Sequence, residues 1–251
     1  MTSKHPPMEP ATTVRDEEVR RFNRLAATWW NSAGPMRPLH VINALRLDYV
    51  LAQISACFGR QAGDLNGLRM ADIGCGAGLM CEPLAARGAQ VVGVDAAANN
   101  IAAARLHAAE TGLRIDYRCG EPGATLGENE SFDVLLLLEV VEHVDQVPAF
   151  VRDAISHLRP GGLLLVSTIN RTPSSFLNAI VGAEYVLRIL PRGTHSWRQF
   201  VRPEELQAIA QDCGLLRQDL RGMSYLPVVH RARWSKRLSV NYIACYRKPG
   251  A

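Results

Sequence analysis

Apolar residues in this chain recur in two periods. From Val14 to Trp30 they fall at helical spacing, with Val14, Phe22, Leu25 and Trp29 near one face of VRDEEVRRFNRLAATWW and the charges on the other. After the breakers Gly34, Pro35 and Pro38, a second helix is predicted from about Leu39 to Phe58. Short apolar runs then follow, RMADI, QVVGVD, RIDYRC, FDVLLLL and GLLLVSTI, separated by helical stretches. Runs that stay apolar throughout describe strands covered on both faces, so the pattern predicts an α/β fold with a parallel sheet and helices on both faces. LRQDLRGMSYL and SVNYIACYRK have no clear helix between them and are predicted to pair antiparallel at one edge.

Composition narrows this picture. With 251 residues, 47% of them hydrophobic, the chain can bury one sizeable core. We read a disordered lead-in at 1–13 and a single domain at 14–251, with N-terminal helices at 14–60 and an insertion at 171–200. The net charge of +4 is modest, and the basic residues are spread out except near the C-terminus, which argues against a dedicated nucleic-acid grip. The six cysteines form no CxxC pair and read as reduced thiols of a cytoplasmic protein. MTSKHPPMEPATT has neither the apolar stretch nor the cleavage pattern of a secretory signal. No apolar run is expected to reach the roughly 18 to 20 residues that span a bilayer.

Candidate chemistry begins at LRMADIGCGAGL, Leu68 to Leu79. A buried strand ending at Asp72 and Ile73 is predicted to turn through Gly74, Gly76 and Gly78 into a helix, because glycine alone permits positive φ and close backbone approach. Nicotinamide enzymes and S-adenosylmethionine enzymes both place a ligand on such a turn. The second strand ends at Asp95, whose carboxylate can accept from ribose hydroxyls. The loop is tighter than GxGxxG, which suits a ligand with no pyrophosphate. LRPGGLLLVS places a Pro-Gly-Gly turn directly before the fifth strand.

With these features the chain resembles the class I S-adenosylmethionine-dependent methyltransferases, which implies a Rossmann-like sheet. INALRLDYV, DIGCGAG, LEVVEHV, STINRTPSSF, IVGAEYVLRILPRGTH and FVRPEEL, in that order, resemble the ubiquinone-biosynthesis O-methyltransferases, over about Phe22 to Tyr246. The resemblance implies methylation of catechol hydroxyls on polyprenylated rings, 2-polyprenyl-6-hydroxyphenol and 3-demethylubiquinol. It also implies that Arg46 meets the methionine carboxylate, Gly74 passes close to the methionine part through its backbone, Gly76 belongs to the same cofactor-binding turn, Asp95 holds the ribose, and Leu138 lies beside the adenosine. One departure is CGEPGATLGENESFD after the third strand, glycine-rich where an acid near the adenine amine is expected; Glu121 is the candidate substitute.

Glu139, Glu142 and His143 stand at i, i+3 and i+4, so on a helix they share one face. Two readings stand. They ligate a divalent ion, with magnesium implied by the resemblance, which lowers the pKa of a bound catechol while a Glu or His takes its proton. Alternatively, the acids favour a helix N-terminus and His143 packs below. His195, in RGTHSW, is a second candidate base.

The segment Phe176 to Leu190 in the insertion is almost wholly apolar. It is fit to lie in a membrane surface and serve a polyprenyl tail at the inner face, with Arg231 to Arg237 meeting anionic headgroups, or to act as a lid or core helix. Trp29 and Trp30 either close the cofactor site or pack in the core. Competing functions are a methyltransferase of another small phenol or quinone, a nicotinamide-dependent reductase on the same sheet, and a non-catalytic scaffold within a biosynthetic complex.

Overall fold

The structure is a computed structural model that describes residues 15–176 and 197–250. The lead-in at 1–13, His195 and nearly all of the Phe176–Leu190 segment lie outside the described residues.

Among the described residues, eight strands form one sheet in the order β3-β2-β1-β4-β5-β8-β6-β7. The strands β1 (Arg69–Ile73), β2 (Gln90–Asp95), β3 (Asp116–Cys119), β4 (Phe132–Leu138) and β5 (Leu158–Ile169) are parallel. β8 (Asn241–Arg247) runs antiparallel to β5 on one side and to β6 (Leu216–Leu226) on the other. The antiparallel edge therefore has three strands, because β7 (Arg231–Ser235) hairpins onto β6. The basic run read only as a charged surface is in fact an edge strand.

FDVLLLL shows why the strands are apolar throughout. Leu135 and Leu137 enter a core beneath α6 (Val147–Ser156) and α8 (Pro203–Asp212). Val134 and Leu136 enter the opposite core with Tyr49, Val50 and Ile54 of α2 (Arg37–Phe58). Alternate side chains of one strand thus serve two cores. α2 begins two residues before the predicted start, with Pro38 in its first turn, and ends at Gly59 with φ 63°. It is long and apolar enough to cross a membrane, contrary to expectation, yet its buried residues pack on the sheet. The Pro160-Gly161-Gly162 turn expected ahead of β5 is an irregularity within it, where pairing with β4 slips between Phe132 and Val134.

The chain winds outward from β1 through β2 to β3, then returns to place β4 on the other side of β1. At that reversal neighbouring connections diverge and leave a crevice at the carboxyl ends of the strands. α1 (Asp16–Leu25), α2, α4 (Ala98–Glu110) and α5 (Pro122–Thr125) contribute side chains to its lining.

Candidate functional site

Gly74 and Cys75 donate backbone N–H groups to Val94 O at 2.7 and 3.0 Å, folding the glycine turn over the end of β2. Gly74 has φ 80° and Gly76 has φ 56°. A Cβ at Gly74 would come within 2.5 Å of Val140 Cγ2, and one at Gly76 within 2.6 Å of Trp29 Cη2. Bare backbone is therefore required twice over, by conformation and by space.

Beside this turn, Asp95 closes β2. Its Oδ2 accepts from Gly76 N at 2.9 Å, and its Oδ1 from Ala97 N at 2.8 Å and Asn100 Nδ2 at 3.1 Å. Burial pushes this carboxyl above its ordinary range, against the pull of those three bonds. Asn100 Oδ1 in turn accepts from Trp29 Nε1 at 2.9 Å. Trp29 thus lies in the wall of the crevice, whereas Trp30 stacks on His107 with ring centroids 3.4 Å apart. Asn100 escaped sequence reasoning, although its position in the first turn of α4, five residues after Asp95, is a usable signal.

Arg46, Leu138 and Glu139 line the same crevice, as does Glu121. Arg46 is 1% exposed, and its Nη2 lies 2.5 Å from Glu139 Oε1. Its Nη1 donates to Asn43 Oδ1 at 3.0 Å, while Nε and Nη2 have no aligned hydrogen bond. The Nε–Nη2 edge of this buried guanidinium fork thus meets a single carboxylate oxygen and makes no aligned hydrogen bond. Arg46, Gly74, Gly76, Asp95 and Leu138 are therefore brought together.

The acid and histidine cluster is arranged differently from expectation. Glu139 has φ 57°, and only a single 3-10 turn at Val141–His143 follows, so the helix that would align Glu139, Glu142 and His143 is absent. Glu139 Oε1 accepts from Ser167 Oγ at 3.1 Å besides meeting Arg46. Glu142 is buried, and its Oε2 accepts from Thr168 Oγ1 at 2.7 Å. Desolvation and the charge of Glu139 push its carboxyl up to about 7, against His143 and the Thr168 bond. His143 Nδ1 lies 3.1 Å from Glu18 Oε2. The three side chains thus turn to three different partners, and no group of three or more His, Cys, Asp or Glu able to hold a metal gathers among the described residues. As placed, they do not fit a magnesium ion.

The first helix contributes Glu18, from its charged face, together with Val19 and Phe22 to the wall of the crevice. Burial alone would raise the Glu18 carboxyl, but its hydrogen bond and attraction to His143, with Arg21 and Arg15, hold it below the usual range. Arg15 pairs with Asp145 at 3.0 Å and donates to Glu142 O at 3.1 Å.

Asp72, under the turn, is 3% exposed. Desolvation pushes its carboxyl up to about 7, aided by Asp95 and opposed by Cys81 and Arg46. The native state then keeps a proton that the unfolded chain releases near pH 4, so stability falls as pH rises from about 4 to 7. Asp72→Asn is expected to match the wild type near pH 4 and exceed it by about 4 kcal/mol at pH 8, measured by urea denaturation at both values. Parallel stability curves for the two proteins would contradict this.

The pattern of the methyltransferase domain family matches residues 45–216. A ubiquinone biosynthesis O-methyltransferase of Bradyrhizobium sp. (strain ORS 278) is 50% identical over 240 residues, covering 93% of each chain. That of Chelativorans sp. (strain BNC1) is 48% identical over 243 residues, covering 96% of each. The chain belongs to the ubiquinone biosynthesis O-methyltransferase family. As a member, it carries the class I methyltransferase fold. A magnesium protoporphyrin IX methyltransferase from Synechocystis PCC 6803, solved with bound S-adenosylmethionine, has a TM-score of 0.62 at 18% identity, covering 96% of this chain and all of that one. The plantazolicin methyltransferase in complex with S-adenosylhomocysteine has a TM-score of 0.63 at 12% identity, covering 93% of this chain and 98% of that one. Both likenesses extend the fold beyond the family and say nothing of the acceptor.

Proposed function

We propose that this protein is an S-adenosylmethionine-dependent O-methyltransferase that methylates catechol hydroxyls of polyprenylated intermediates in ubiquinone biosynthesis. The observation that carries this reading is identity of 48 to 50% across 93 to 96% of the chain with relatives named for that pathway. The crevice supports it through two features of its own: a buried guanidinium edge without aligned hydrogen bonds, and a turn at Gly74 and Gly76 that lines the crevice with bare backbone because a Cβ would strike Val140 or Trp29.

Bound S-adenosylmethionine supplies a methyl group on a sulfonium, ready for attack by an oxygen. The Nε–Nη2 edge of Arg46 would hold its carboxylate with paired charge-assisted bonds. Gly74 and Gly76 would approach the methionine part with backbone, Asp95 would exchange some of its present donors for ribose hydroxyls, and Leu138 would flank the adenosine. Phe22, Trp29 and Phe150, which line the crevice, exclude water from the reacting centre. A catechol hydroxyl, with a pKa near tyrosine's value of about 10, must lose its proton as it attacks. His143 is the group placed to take it: Nδ1 is held by Glu18, which leaves Nε2 for the acceptor's proton. No step is assigned to magnesium, because Glu139, Glu142 and His143 do not converge.

Methyl transfer from radiolabelled S-adenosylmethionine to a short-chain polyprenyl catechol tests the reading. Labelled methyl ether is expected; binding of NADH with no response to S-adenosylhomocysteine would favour the reductase instead.

The polyprenyl tail gives reason for contact with the inner face of a membrane. Leu226 and Val229 are exposed at the β6–β7 turn, next to exposed Arg231, Arg233, Lys236 and Arg237, a surface complementary to anionic headgroups. Co-sedimentation with phosphatidylglycerol vesicles is expected for the full chain and should fall when residues 176–190 are deleted. Undiminished pelleting would remove the membrane role from that segment.

A further inference from the structure

We propose that Glu139 is an internal stand-in for the methionine carboxylate, holding Arg46 until the donor displaces it. This rests on the donor reading above and adds a role for a residue outside it. A guanidinium that is 1% exposed needs a nearby anion, and Glu139 is the acid in contact with it. Yet the pairing is only half made. Nε and Nη2 together form one edge of the fork, spaced to meet both oxygens of a carboxylate, and neither has an aligned hydrogen bond. Glu139 presents one oxygen to that edge, Oε1, and shares the same atom with Ser167 Oγ at 3.1 Å.

Glu139 is placed so that it can let go. Its side chain is 22% exposed, and Ser167 is already within hydrogen-bond distance to retain it after Arg46 is taken. Its backbone is fixed at φ 57°, with its N–H donated to Ser167 O at 2.9 Å, so the exchange needs only side-chain rotation. The left-handed backbone is uncommon for a residue other than glycine, and it turns Glu139 into the crevice at the end of β4.

Two carboxylates therefore compete for one cation. Donor affinity reports the difference between them. Glu139 acts through Arg46 and is a positioning residue.

Calorimetry with S-adenosylhomocysteine and with 5′-methylthioadenosine, which lacks the amino-acid portion, tests the exchange. Glu139→Gln is expected to bind S-adenosylhomocysteine about threefold to tenfold more tightly than the wild type, with unchanged affinity for 5′-methylthioadenosine. Glu139→Asn, which removes the charge and tolerates left-handed backbone better, serves as the second variant and should shift the same way. Unchanged or weaker S-adenosylhomocysteine binding in both variants overturns the exchange while the donor reading stands. Equal binding of the two ligands by the wild type is a different failure, because it removes Arg46 from the donor site and the proposal with it.

Discussion

Arg46→Met is expected to weaken S-adenosylhomocysteine binding by about thirtyfold to a thousandfold. The donor's carboxylate loses its pair of charge-assisted hydrogen bonds and, with Arg46 gone, faces Glu139 with no cation between them. Leaving a carboxylate without its buried cation costs roughly 2 to 5 kcal/mol, set against the donor's release from competition with Glu139. Arg46→Lys keeps the charge but not the planar fork, so it should fall between the two proteins. Calorimetry checks the ranking, with 5′-methylthioadenosine as the ligand that should ignore both substitutions. If Arg46→Met bound S-adenosylhomocysteine as the wild type does, the guanidinium would have no part in donor recognition.

The second large effect is expected at Gly74→Ala, with a loss of about 2 to 4 kcal/mol in stability and at least tenfold in donor affinity. A side chain at φ 80° costs about 1 to 2 kcal/mol by itself. The new methyl would also sit 2.5 Å from Val140 Cγ2, forcing apart the turn after β1 and the end of β4 that carries Leu138 and Glu139. These two causes separate in a double variant. Gly74→Ala with Val140→Ala should recover the steric part and leave the conformational part, as read by urea denaturation. A double variant no more stable than Gly74→Ala would mean that the contact with Val140 is not the source of the loss.

Much of this architecture is written locally. The runs from RMADI to GLLLVSTI carry their strand identity in consecutive apolar residues, and the glycine turn is legible because φ preference is a property of single residues. Asp95 was readable as the acid closing the second strand. The cluster after β4 was not: i, i+3, i+4 spacing implies a shared face only if the backbone is helical, and Glu139 at φ 57° ends that premise. The role of Glu18 was not legible for a related reason, since helical periodicity tells which residues are polar but not whether a neighbour such as His143 awaits them.

What the chain's order of residues determined alone is the α/β alternation, the backbone cradle at Gly74 and Gly76, and the family. Only the tertiary structure decided that Arg46 of α2 meets Glu139, 93 residues onward in the chain, that Trp29 reaches Asn100 near Asp95, and that β8 inserts between β5 and β6. The division has one physical cause. Torsional preference and burial period act over a few residues, whereas ion pairs and strand neighbours form only after the sheet has brought distant segments within a few ångströms.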